Sequence, residues 1–96
     1  MKIYLTVILK AKKGNSIALK SVLRNMVVQS KKEKACLQYD LFQASDDEHT
    51  FIFQEIWKNQ QGLDVHDEQP YIKEFRETHS SLTDGNIVIY KNHKID

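Results

Sequence analysis

Ile3, Leu5, Val7 and Leu9 alternate with Tyr4, Thr6, Ile8 and Lys10. This period of two predicts a strand over about Lys2 to Ala11, and its second face is too apolar to be simply wet. "KKGNS" then supplies turn chemistry, with Asn15 or Ser16 placed to cap a helix. In that helix Leu19, Val22, Leu23, Met26 and Val27 recur at i, i+3, i+4, i+7 and i+8, one apolar stripe ending near Lys32. "CLQYDLFQA" sets Leu37, Tyr39 and Leu41 against Gln38, Asp40 and Phe42 and reads as a second strand. "SDDEH" is a polar turn, and "TFIFQEIW" is a third strand that pairs with the second as an antiparallel hairpin. "KNQQGLDVH" opens a second helical region, which Pro70 interrupts or restarts, since proline suits a first helical turn. Beyond it Tyr71, Ile72, Phe75, His79 and Leu82 fall at helical spacing. "TDGN" marks a turn, and "IVIYK" is a fourth strand.

The order β-α-β-β-α-β is the split unit of a ferredoxin-like α+β fold with an antiparallel four-stranded sheet. Two helices cover one sheet face and leave the other open. Both faces of the first, third and fourth strands carry large hydrophobes, more than a monomer usually exposes. A second copy stacked against the open sheet face is therefore expected, giving a homodimer.

The 96 residues make one domain, 1–96, with a modest core. A formal charge of +1 creates no long-range field favouring nucleic acid or an acidic membrane. The densest basic run, "SKKEKAC", is broken by Glu33 and suits a helix end, where cations favour the helix dipole. No apolar run approaches the roughly 20 residues of a membrane span. "MKIYLTVILKAKKG" resembles a signal sequence only superficially, because it alternates and no small-residue cleavage site follows. A single cysteine, Cys36, rules out an internal disulfide and suits a reducing cytoplasm.

One feature departs from ordinary alternation. Phe51, Phe53, Glu55 and Trp57 share a strand face, so a carboxylate sits in an aromatic row, and His66 follows nine residues after Trp57. This row points either into a barrel closed by two sheets or against the helices, and only the first case makes Glu55 a pocket residue. Trp57 is core or contact residue, Glu55 a pocket acid or one half of an ion pair, and His66 a site residue or a surface histidine among Asp64, Asp67 and Glu68. A metal is not expected. Those neighbours lie too close together to point one way on a helix, and His49, His79 and His93 form no spaced ligand set.

"KKG" after the first strand, "EKACLQYDLF" and above all "FIFQEIWKNQQGLDVHDEQPYIKEF" resemble the antibiotic biosynthesis monooxygenase family over nearly the whole chain. Ala35 departs from the glycine many members carry before the cysteine, which should only stiffen the turn. The resemblance implies a dimeric α+β barrel of the quinol-monooxygenase kind, working without metal, flavin or other cofactor. Haem-degrading members use Asn, Trp and His at positions falling near Val7, His66 and Arg76 here, and none matches.

On that resemblance, the expected activity is oxidation of a small phenolic or quinol-type molecule by molecular oxygen. Triplet oxygen reacts slowly with paired-electron molecules, whereas a deprotonated phenol passes an electron to it unaided. The protein then needs a base, donors near the developing charge and an apolar aromatic cavity. His66 and Glu55 are the candidate catalytic residues, because histidine titrates near neutrality and a desolvated carboxylate has a raised pKa. Glu55 can alternatively orient His66. Trp57, Phe53, Phe75 and Tyr71 are candidates to hold the ring. Two other readings stand: an isomerase moving a proton between carbons of a small carbonyl metabolite, and a barrel that binds a small ligand without chemistry.

Overall fold

A computed structural model describes residues 1–96. Its strands are β1 (Ile3–Lys10), β2 (Cys36–Gln43), β3 (Thr50–Trp57) and β4 (Val88–Asn92). Its helices are α1 (Ser16–Lys31), α2 (Gln60–Asp67) and α3 (Pro70–Thr78), with a 3-10 turn at His79–Ser81. The strands form one antiparallel sheet in the order β2-β3-β1-β4. This is the ferredoxin-like arrangement expected from the alternation and helical stripes. No helix is long and apolar enough to cross a membrane.

In α1 the buried stripe is Leu19, Leu23, Met26 and Ser30. Leu19 and Leu23 are fully buried against the sheet, each contributing about 1.5–3 kcal/mol by leaving water. Val22, expected in the stripe, is 37% exposed. Four-residue and three-residue steps from Leu19 through Leu23 to Met26 centre the buried face away from it. Neither expected cap of α1 bonds the helix end. Asn15 donates to the Ser81 carbonyl and Ser16 Oγ donates to the Glu48 carbonyl, because two loops approach that end. The β2–β3 turn is pinned by Asp47, whose carboxylate accepts from Thr50 Oγ1 at 2.7 Å and the His49 N–H at 3.0 Å.

Pro70 restarts the chain as α3, as its fixed φ suits the first helical turn. The preceding helix begins two residues later than "KNQQ" suggests, with Asn59 as its N-cap accepting from the Gly62 N–H at 2.8 Å. Gly62 is also where α2 meets the turn before β2. A Cβ there would lie 2.3 Å from the Ala35 Cβ, so glycine at 62 is what admits alanine at 35. That close approach holds α2 across the end of β3 and sets His66, one turn further along, over Trp57.

Candidate active site

The row Phe51, Phe53, Glu55 and Trp57 faces the helices, and all four residues are buried. The expectation that this orientation would remove Glu55 from any pocket is wrong. A cavity of about 130 Å³ lies between the sheet and the helices, lined by Glu55 and Phe53 from β3 and His66 from α2. Phe75 and Ile72 from α3, with Leu5 and Val7 from β1, complete an apolar wall. The space exists because α2 and α3 are two short helices with a break at Glu68–Gln69, so their inward residues arrive from two directions.

Glu55 Oε1 accepts the indole N–H of Trp57 at 2.9 Å. No cation pairs with Glu55. Burial pushes its carboxyl up to about 7, opposed in part by the Trp57 bond and reinforced by Asp67 and Glu33. Glu33 Oε1 is the one buried side-chain polar atom that lacks a partner. Glu55 Oε2 has no protein partner either, so it is not sealed but opens onto the cavity.

His66 is 4% exposed rather than a surface histidine. Its ring lies over Trp57, with centroids 4.3 Å apart and planes at 38°. Nδ1 is 2.6 Å from Glu33 Oε2. By the same reasoning as for Glu55 Oε2, the unpartnered Nε2 faces the cavity. The carboxylate against His66 is thus Glu33, reaching across from the turn after α1, while Glu55 holds Trp57.

Two candidates stand elsewhere. Trp57 is fully buried beneath His66 and does not line the cavity. The Tyr71 hydroxyl donates to Glu33 Oε2 and sits 2.9 Å from Ser30 Oγ, and its ring borders an outer cleft between α1 and α3. Burial and the Glu33 bond hold the Tyr71 phenol well above its ordinary pKa. Phe53 and Phe75 do line the cavity.

Four further residues bear on the site. Tyr39 lines the cavity with its ring 5.0 Å from Phe53 and 5.8 Å from His66, and burial holds its phenol protonated. Arg76 and Asp67 form a half-exposed rim pair at 3.2 Å. Glu33 breaks a basic run and looks solvated in the sequence, yet its side chain is 10% exposed. The available signal was Ser30, a polar residue continuing the buried α1 stripe four residues after Met26. A hydroxyl there implies a polar partner inside. No three His, Cys, Asp or Glu side chains converge as a metal site would require. The Cys36 thiol is pushed up to about 11 by burial, Glu33 and Glu55, so it is not a nucleophile at neutral pH.

Residues 3–78 match the family model described as antibiotic biosynthesis monooxygenase. An uncharacterized protein of Synechocystis is 33% identical over 82 residues, covering 83% of this chain and 54% of that one. A Bacillus subtilis protein, provisionally named a monooxygenase, is 33% identical over 55 residues, covering 57% and 58%. The chain therefore spans little more than half the length of these curated relatives. A crystal structure from Pseudomonas aeruginosa superposes with a TM-score of 0.93 at 29% identity, covering 99% of this chain and 95% of that one.

Proposed function

Since this chain belongs to the antibiotic biosynthesis monooxygenase family, we propose that its cavity binds a small phenol of the hydroquinone or catechol type and promotes its oxidation by O2 without metal or flavin. The observation that carries this reading is the pair of unpartnered atoms, His66 Nε2 and Glu55 Oε2, opening into a largely apolar space with a charged rim. A base beside a largely apolar cavity removes the phenolic proton and leaves an electron-rich anion, the species that reduces oxygen unaided. Glu55, protonated through much of the range below about 7, donates to oxygen as negative charge develops. Phe53 and Phe75 enclose the ring. Trp57 acts from beneath, seating both His66 and Glu55. For a hydroquinone the balance is one O2 consumed, one oxygen atom added to the ring as the hydroxyquinone, and the other released as water.

The cavity also limits size. Its volume of about 130 Å³ is close to that of an apolar cavity of about 150 Å³, which holds benzene. A single ring fills a space of that size, so monocyclic phenols are the better match. Oxygen uptake with monocyclic hydroquinones and catechols, read against a protein-free autoxidation blank, tests the reading. Saturable uptake exceeding that with naphthohydroquinones is expected. Uptake no faster than the blank across the panel would overturn oxygenation, and ligand binding or anaerobic isomerisation would then be sought.

The partner in this reading is a second copy of the chain. On the sheet face away from the helices Phe42, Val88 and Tyr90 are 52%, 40% and 56% exposed. The pairings Phe42–Ile52, Ile52–Ile8 and Ile8–Val88 make that surface continuous across all four strands. Sedimentation velocity at micromolar concentration is expected to give twice the 11.3 kDa chain mass, and Phe42→Lys to lower it. A wild-type protein that sediments as a monomer would remove the dimer.

A further inference from the structure

We propose that Glu33 relays protons between His66 and the outer cleft, so that substrate and protons use opposite sides of the site. This rests on the proposed function for its purpose, though not for its geometry. Glu33 Oε2 lies 2.6 Å from His66 Nδ1, and the side chains are 10% and 5% exposed. His66 lines the inner cavity, whereas Glu33 borders the outer cleft together with Gln29, Lys32, Gln69 and Tyr71. These two residues in contact thus connect two separate spaces.

The carboxylate is also incompletely satisfied in a way an ion pair alone does not explain. Oε2 takes both His66 and the Tyr71 hydroxyl, while Oε1 is buried with no partner. A buried acceptor left without a donor is destabilising. Oε2 is the oxygen in reach of the Nδ1 proton, and it also meets the Tyr71 hydroxyl, whose residue borders the same outer cleft as Glu33.

The O–H proton of a bound phenol adds to Nε2 while the Nδ1 proton passes to Glu33. The phenolate keeps the electron pair, the imidazole is left neutral, and Glu33 as the acid releases its proton to water in the cleft. Afterwards Glu33 takes a proton back from the cleft side and passes it to Nδ1 as Nε2 gives its proton to the product oxygen, which restores the starting tautomer. Glu33 touches no substrate; it acts through His66.

The test is the exchange of the His66 Nδ1–H with water, followed by nitrogen-15 NMR in the intact protein, alongside oxygen uptake with a monocyclic hydroquinone. Glu33→Gln keeps a carbonyl to accept from Nδ1–H but cannot carry a proton. Exchange should slow at least about tenfold, and kcat should fall about 10–100-fold with KM within about twofold. Imidazole buffer should restore part of the lost turnover, an effect a purely structural role does not produce. Glu33→Asp, with its carboxyl withdrawn by one methylene, should slow exchange part of the way and serves if the glutamine variant does not fold. Wild-type exchange rates in either folded variant would overturn the relay. Slowed exchange with no uptake by any form would keep the relay and overturn the oxygenase reading.

Discussion

His66→Gln is expected to lower kcat for hydroquinone oxidation by about 10²–10⁴-fold, the usual contribution of a positioned acid–base group. Glutamine is the informative replacement. Its amide can still donate to Glu33, so the carboxylate at 2.6 Å from Nδ1 keeps a donor and the fold keeps its polar pair. Alanine would leave Glu33 buried beside a void over Trp57, and lost stability would then mix with lost chemistry. KM should change far less than kcat, because the apolar lining that includes Phe53, Phe75 and Ile72 is left intact. Initial rates of oxygen uptake, normalised to folded protein, decide the matter. A glutamine variant with wild-type kcat would remove His66 from the chemistry while leaving the cavity as a binding site.

Glu55→Gln should make the protein markedly more stable than wild type at about pH 8 while changing little at about pH 4. In the unfolded chain Glu55 ionises near its ordinary value of 4.5, whereas burial in the folded protein pushes this up to about 7. Between those values the folded state holds a proton that the unfolded chain has released. Raising the pH therefore favours unfolding, with the loss beginning near 4.5 and complete above about 7. The full difference is on the order of 3 kcal/mol, or more than about 10 °C in melting temperature for a chain of this size. Glutamine carries no such proton, and its carbonyl can still accept from the Trp57 indole. Calorimetry of both proteins across the range isolates the effect, because groups they share cancel in the comparison. Parallel curves would show that Glu55 ionises as readily in the folded protein as in water.

The fold was legible because its signals are local. The alternation around Leu5 and Phe53 and the stripe from Leu19 to Met26 are short-range patterns that the sheet and α1 only confirm. Glu55 and His66 stood out for the same reason, as polar groups interrupting apolar order. What did not show was the side of the sheet they face. The period of a strand fixes which residues share a face and is indifferent to whether helices or a second sheet cover it. Glu33 was hidden more deeply. Its contact with His66 joins residues 33 apart, and nothing in the run "SKKEKAC" distinguishes a carboxylate that turns inward from one left in water. Only Ser30, buried where an aliphatic residue would continue the stripe, hinted at polar company.

The hydrogen bond from the Trp57 indole to Glu55 has a practical consequence. Trp57 is the only tryptophan in the chain, and its environment is set on one side by an imidazole ring at 4.3 Å and at its edge by the carboxylate. Its fluorescence therefore responds to the charge on Glu55, and comparison with Glu55→Gln separates that response from the stacked imidazole's. Emission should change in intensity and wavelength as the pH crosses about 7, and should change again when a ring enters the cavity beside that carboxylate. Ionisation and occupancy can thus be followed in a cuvette, in unlabelled protein, before any substrate is known.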